Sequence, residues 1–155
     1  MIYMLKAGFF GYAASEVRLF TVGPVAREVG WPELPVHIVD LRRGGEVPWT
    51  ADTVEIAEAY VDNADRPNDE LLLELARRRS LALISEDLGL LESAAGYGLA
   101  HFNALMLLAL VALRGRVEAS DYEEYFALLR AVGRYRGDVL DFARAVARRG
   151  PGGLI

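Results

Sequence analysis

Three acidic residues stand where an α/β chain carries out chemistry. Glu28 lies just inside a helix that follows a loop, Asp69 opens another helix, and Asp87 comes directly after the apolar run Leu81–Ile84. In open α/β folds, strand C-termini and helix N-termini share the edge of the sheet where ligands bind. Carboxylates gathered there repel one another, and a hard divalent cation, Mg2+ or Mn2+, relieves that repulsion. Such a cation makes hydroxide from bound water and steadies a phosphoryl oxygen, so the chemistry would be phosphodiester hydrolysis. Each residue also has a plainer reading. Asp69 or its neighbour Asn68 is a good helix cap, as is Asp87 with Ser85, and a single helical glutamate such as Glu28 is ordinarily solvated. Asp40 ends the run Val36–Asp40 and is a rival site residue, its plainer role being a turn before Arg42 and Arg43.

Lys6 complicates this set. It is the only lysine among 17 basic residues, the rest being arginine. Ile2-Tyr3-Met4-Leu5 predicts a short buried strand and Ala7-Gly8 the turn that leaves it, which puts an ammonium at a strand end. Two unit charges about 4 Å apart interact by about 4 kcal/mol at an effective dielectric of about 20. A lysine among the carboxylates would therefore stand in for the metal, as a compact point charge that the planar fork of arginine does not match. The alternatives are a contact to substrate phosphate and plain solvation.

The elements that must position these groups alternate. Ala13–Leu19 predicts a short helix, and Thr21–Val29 another with Pro24 in its first turn, closed by Gly30 and Pro32. Val36–Asp40 predicts a strand, and Thr53–Asp62 and Asn68–Arg77 predict helices. Leu81–Ile84 predicts a strand, Ser85-Glu86-Asp87-Leu88 the start of a helix, and Leu99–Phe102 a fourth strand. An apolar helix then runs to Leu113, and two amphipathic helices follow from Asp121, divided near Gly133–Gly137. Strands alternating with helices imply an α/β fold with a mostly parallel sheet flanked by helices on both faces.

With 155 residues, 53% apolar and 25% charged, the chain reads as one soluble domain with an ordinary core. The absence of cysteine excludes disulfides, thiolate catalysis and cysteine-ligated metals, and two histidines do not make a histidine metal centre. A net charge of −5 argues against a broad basic surface for nucleic acid but leaves room for a local patch. The apolar run Ala104–Leu113 is about half of what a bilayer requires. No leader sequence stands out, so the expectation is a cytoplasmic protein without a membrane span.

Four segments, in order, resemble the motifs of the PIN-domain family, small α/β nucleases that include toxin ribonucleases and ribosomal-RNA-processing endonucleases. Val22-Gly-Pro-Val-Ala-Arg-Glu28 is similar to the family's second motif and Asp69-Glu-Leu-Leu-Leu-Glu-Leu-Ala76 to its third. Leu83-Ile-Ser-Glu-Asp87, running on to Gly98, is similar to its fourth. The leucine-rich helix and Arg114-Gly-Arg-Val117 continue the likeness, which covers residues 1–117. The resemblance implies a three-layer PIN-like fold at 1–117, and the residues after it read as a helical extension at 118–149 packed on the same domain and a frayed tail at 150–155. It implies a metal-dependent endoribonuclease site with Glu28, Asp69 and Asp87 as catalytic and Mg2+- or Mn2+-binding residues, and with Ser85, Glu86 and Asn68 behind them. In the first motif the family's aspartate falls on Lys6, and a further acidic position falls on Gly89. Two readings follow. One is a silent relative, impaired by Lys6, that binds RNA or a protein. The other is an active toxin-like endoribonuclease in which Lys6 contacts phosphate.

Arg77, Arg78, Arg79, Arg42 and Arg43 are the candidate RNA contacts, although a helix C-terminus favours Arg77–Arg79 whatever the function. The resemblance also implies a homodimer and an inhibitory protein partner. Tyr122, Tyr125, Phe126, Leu129, Val132 and Tyr135, with Val139, Leu140, Phe142 and Val146, form an apolar stripe read as core packing or a partner surface.

Overall fold

The computed structural model describes residues 4, 6–29, 36–42, 44–47 and 65–150. The chain is mixed α/β and rich in helix. In order the elements are α1 (Phe9–Glu16), β1 (Phe20–Val22), α2 (Gly23–Val29), β2 (His37–Asp40), β3 (Gly45–Val47), α3 (Asn68–Arg79), β4 (Leu83–Ile84), α4 (Leu88–Gly96), β5 (His101–Phe102), α5 (Ala104–Leu113), α6 (Ala119–Val132) and α7 (Gly137–Ala147). They fall into two compact units. The first holds residues 1–16, 84–86 and 102–155, and the second holds 17–83 and 87–101.

In the second unit β1 runs parallel to β2, with Phe20 opposite His37 and Val22 opposite Val39. The strand β3 is antiparallel to β2 and pairs Gly45 with Asp40. Helix α2 connects the parallel pair and packs on both strands, and α3 packs on β1. The core here is Val22, Val39, Leu41, Leu71 and Leu75, joined by a second cluster of Ala76, Leu83, Leu90 and Ala94. Leu71 and Leu75 lie one turn apart on α3, which places them on the same face toward the sheet. Helix α3 ends at Ser80, whose left-handed backbone (φ 52°) turns its N–H back onto Ala76 and Arg77. A side chain resists that conformation and glycine does not. Ser80→Gly is therefore expected to raise stability by about 0.5–1 kcal/mol, read as a higher urea midpoint with an unchanged slope.

The first unit is built around α5, which packs against α1, α6 and α7. Seven of its ten residues are buried, and Asn103 caps it by accepting from the Met106 N–H at 2.8 Å. A helix apolar on all sides needs neighbours on all sides. Phe9, Phe10, Tyr122, Phe126, Leu129, Ala143 and Ala147 supply buried side chains from the other three helices. Among the described residues no helix is long and apolar enough to cross a membrane.

Within this core the Tyr122 hydroxyl is buried and has no hydrogen-bond partner among the described residues. Burial, seconded by the charge of Glu123 and opposed by Arg144 and Arg148, pushes its pKa up to about 12. The unfolded phenol ionises near its ordinary 10, so from there to about 12 the unfolded chain binds fewer protons and stability falls as pH rises. Below pH 10 this contribution is fully present. Tyr122→Phe should remove that alkaline decline and, by deleting an unsatisfied buried group, raise stability at neutral pH by about 1 kcal/mol. Urea titrations of both chains at pH 7 and 11 measure the two effects.

Several expectations need correction. Met4 and Lys6 are helical, where a strand was expected over Ile2–Leu5. Met, Leu, Lys and Ala are all good helix formers, and four apolar residues do not distinguish the two states. Strand β1 occupies the start of what was expected to be the Thr21–Val29 helix, and Pro24 sits in the first turn of the helix that follows. The helix expected over Thr53–Asp62 lies outside the described residues. Residues 118–149 group in one compact unit with α5 and residues 1–16.

Candidate functional site

Strand β4 and the residues after it are where two of the expected acidic groups are set. The Leu83 N–H donates to the Ala100 carbonyl at 2.8 Å and the Ser85 N–H to the Phe102 carbonyl at 3.0 Å, so the two chains advance in the same direction. Asp87 then takes extended backbone as the N-cap of α4, and its Oδ1 accepts from the Leu90 N–H at 2.9 Å. Gly89 lies close under that carboxylate, where a β-carbon would stand 3.3 Å from Oδ1. A glutamate or aspartate there would crowd and repel the cap.

Glu86 belongs to the first unit and is a junction. Its Oε1 accepts from the Ala104 N–H at 2.7 Å, at the N-terminus of α5, and from the Tyr135 hydroxyl at 3.0 Å. An α-helix leaves its first N–H groups without partners of its own, and a carboxylate there also meets the positive end of the helix dipole. Tyr135 was expected as part of an apolar stripe, but its hydroxyl has this polar partner. The signal was Gly133 two residues earlier: a β-carbon there would stand 2.3 Å from the Tyr135 ring, so only glycine leaves the ring its place.

Glu28, Asn68 and Asp69 lie in the second unit. The Asn68 amide donates to Glu28 Oε2 at 3.1 Å, which ties the last turn of α2 to the first turn of α3. Asp69 follows in that first turn and is exposed. Asp40 is buried at 4% exposure and accepts from the Arg42 N–H at 2.9 Å, the turn-forming role it was given as an alternative. Lys6 lies in the first unit and is exposed. Among the described residues no three His, Asp or Glu side chains gather to hold a metal ion. The donors set here do not fit the expected Mg2+ or Mn2+ cage. Asp87 is turned onto its own helix, Glu28 onto Asn68, and Glu86 onto Ala104 and Tyr135.

The arginines named as RNA contacts are mostly engaged. Arg42 pairs with Asp65 at 2.6 Å, Arg78 with Glu74 and the Leu41 carbonyl, and Arg79 with Glu46 at 2.5 Å. The hydrogen bond from Arg79, with lesser help from the charges of Arg79, His37 and Arg18, holds the Glu46 carboxyl below its usual range. Arg77 lies 4.4 Å over the ring of Tyr97, which is 55% exposed, and Arg79 also lies 5.7 Å over the ring of Phe20. Arg43 lies outside the described residues. Comparison with known proteins finds no family model, no curated relative and no solved structure that matches this chain.

Proposed function

We propose that this chain is a silent relative of the PIN-type endoribonucleases, one that acts by holding a partner rather than by cleaving phosphodiesters. The observation that carries this reading is the commitment of the carboxylates after β4. Asp87 caps α4 and Glu86 joins α5 to Tyr135, so both serve the fold. The relation to the family is supported by the run helix, strand, helix, strand, helix over residues 68–113, which follows the order of the third and fourth motifs and the helix after them. The finer three-layer fold is part of the same proposal. In the first motif, Lys6 adds a positive charge where the family has an acid, which weakens any metal site it neighbours.

The test is a calorimetric titration of the purified chain with Mn2+, run beside cleavage of a structured RNA with and without the metal. The expected result is no uptake in the micromolar to millimolar range and no metal-dependent cleavage. Mn2+-dependent cleavage that disappears in Asp87→Asn would overturn the proposal. The chain would then be the active endoribonuclease, with Glu28, Asp69 and Asp87 at the metal and Lys6 on phosphate.

A further inference from the structure

In the second unit three basic side chains from different elements converge on one carboxylate. The strand register sets Phe20, His37 and Glu46 on the same face of the sheet as Val39, the face that Leu71 and Leu75 of α3 pack on. Arg79 ends α3 one turn beyond Leu75, and Arg18 stands two residues before β1. Glu46 Oε1 accepts from Arg79 Nη1 at 2.5 Å. Its Oε2 lies 3.3 Å from His37 Nδ1 and 3.8 Å from Arg18 Nη2. The Phe20 ring backs all three, with the guanidinium carbons of Arg18 and Arg79 at 5.1 and 5.7 Å and the His37 ring at 5.1 Å. Among the described residues no other carboxylate gathers three basic partners.

Glu46 serves these partners unequally. One oxygen is given to Arg79, and the other is shared by His37 and Arg18 at distances that hold both loosely. A carboxylate has two oxygens for three donors, whereas a phosphate with a single ester bond, or none, has at least three terminal oxygens and up to two charges. Two guanidinium groups against one carboxylate also leave the cluster positive, in a chain of net charge −5. The side chains of Arg18 and His37 are 67% and 42% exposed, so an anion reaches them from solvent. Glu46 is itself a third exposed and can swing into water with β3 in place. Ion pairs this exposed add little to folding, so its release is cheap.

We infer that Arg18, His37 and Arg79 form a receptor for a phosphate dianion, free or at the end of a phosphomonoester, and that Glu46 occupies it as a tethered stand-in which the ligand displaces. Each terminal oxygen then meets one donor, and the forks of the two arginines suit phosphate. The phosphodiester of a nucleic-acid backbone fits less well. It carries one charge and two free oxygens, as the Glu46 carboxylate does, and so gains nothing by replacing it. This goes beyond the proposed function and does not depend on the carboxylates after β4.

The probe is inorganic phosphate, titrated by calorimetry into the native chain and into Glu46→Gln at neutral pH and constant ionic strength. The native chain should bind it in the millimolar range, and Glu46→Gln at least about tenfold more tightly. Arg18→Gln, at an exposed side chain, should weaken phosphate about tenfold in both backgrounds. Thermal unfolding without phosphate shows whether each variant keeps its fold, and if Glu46→Gln does not, the native chain and Arg18→Gln decide alone. Adenosine 5′-monophosphate and O-phosphoserine separate the sources. Equal affinity for both and for inorganic phosphate assigns the terminal group whatever carries it, and binding of inorganic phosphate alone assigns the free ion. Absence of binding by the native chain, an affinity unchanged in folded Glu46→Gln, or binding indifferent to Arg18 would overturn the inference. Tighter binding of a dinucleotide that has a diester and no terminal phosphate would reassign the cluster to a nucleic-acid backbone and overturn it as well.

Discussion

Leu108→Ala is expected to lower stability by about 2–5 kcal/mol, with a fall in the urea midpoint and little change in slope. Leu108 is 0% exposed in the middle of α5, the helix buried among α1, α6 and α7. Truncation removes the transfer free energy of three carbons and leaves a hole. The neighbours available to fill it, Leu105, Ala109, Val111 and Ala112, are themselves fixed on the same helix. A site that collapses poorly lies toward the upper end of the range. Leu108→Met conserves volume and should cost under about 1.5 kcal/mol, so the pair of variants separates cavity formation from any effect of changing the residue. A loss below about 1 kcal/mol for the alanine variant would mean that α5 is not the centre of its unit.

The second large effect belongs to Glu86. Glu86→Ala removes the acceptor of both the Ala104 N–H and the Tyr135 hydroxyl. Taking the acceptor away from a partly buried donor costs about 1–3 kcal/mol, the lower end applying where water reaches it. Both groups are at a partly buried position, so a total of about 2–4 kcal/mol is expected. Tyr135→Phe alone should cost about 1 kcal/mol, and combined with Glu86→Ala it should cost less than the sum, because the cycle removes a shared interaction. Full additivity, measured by urea unfolding of the four chains, would show that the Tyr135 hydroxyl and Glu86 do not act together.

The sequence was most legible where local chemistry and tertiary packing agree. Asn68–Arg79 has an acidic first turn, apolar residues at helical spacing and an arginine-rich end, and it is a helix throughout. Ala104–Leu113 was read as buried because nothing in it could face water, and it is buried. Short strands were harder. Phe20–Val22 runs straight into Gly23-Pro24, and those two residues announce a helix so strongly that Thr21 and Val22 were absorbed into it. Gly45–Val47 follows a turn and has a glutamate at its centre, so its pairing comes from the antiparallel partner β2 rather than from its own side chains.

The carboxylates show a different limit. An aspartate after a strand and before a helix is equally a metal ligand and an N-cap, because both roles use an oxygen at a helix N-terminus. Asp87 was read both ways, and it caps. Glu86 was read only as support for a site, since its partners Ala104 and Tyr135 lie 18 and 49 residues away in sequence. No periodicity encodes such a pairing. The orphaned hydroxyl of Tyr122 was likewise invisible, because a tyrosine in an apolar stripe looks the same whether or not its oxygen finds a donor.

The division of the chain into two units has a consequence for how it is made. Residues 1–16 are synthesised well before the helices α5, α6 and α7 that complete their unit, which begin only at Ala104. Synthesis at roughly 5–20 residues per second puts that delay on the order of ten seconds. Through that interval Phe9 and Phe10, both buried in the finished chain, have no native neighbours to cover them. Residues 1–16 thus need cover while the rest of their unit is being made. For the same reason residues 118–149 are not a detachable tail, since cutting them away would strip the cover from the most apolar of the described helices.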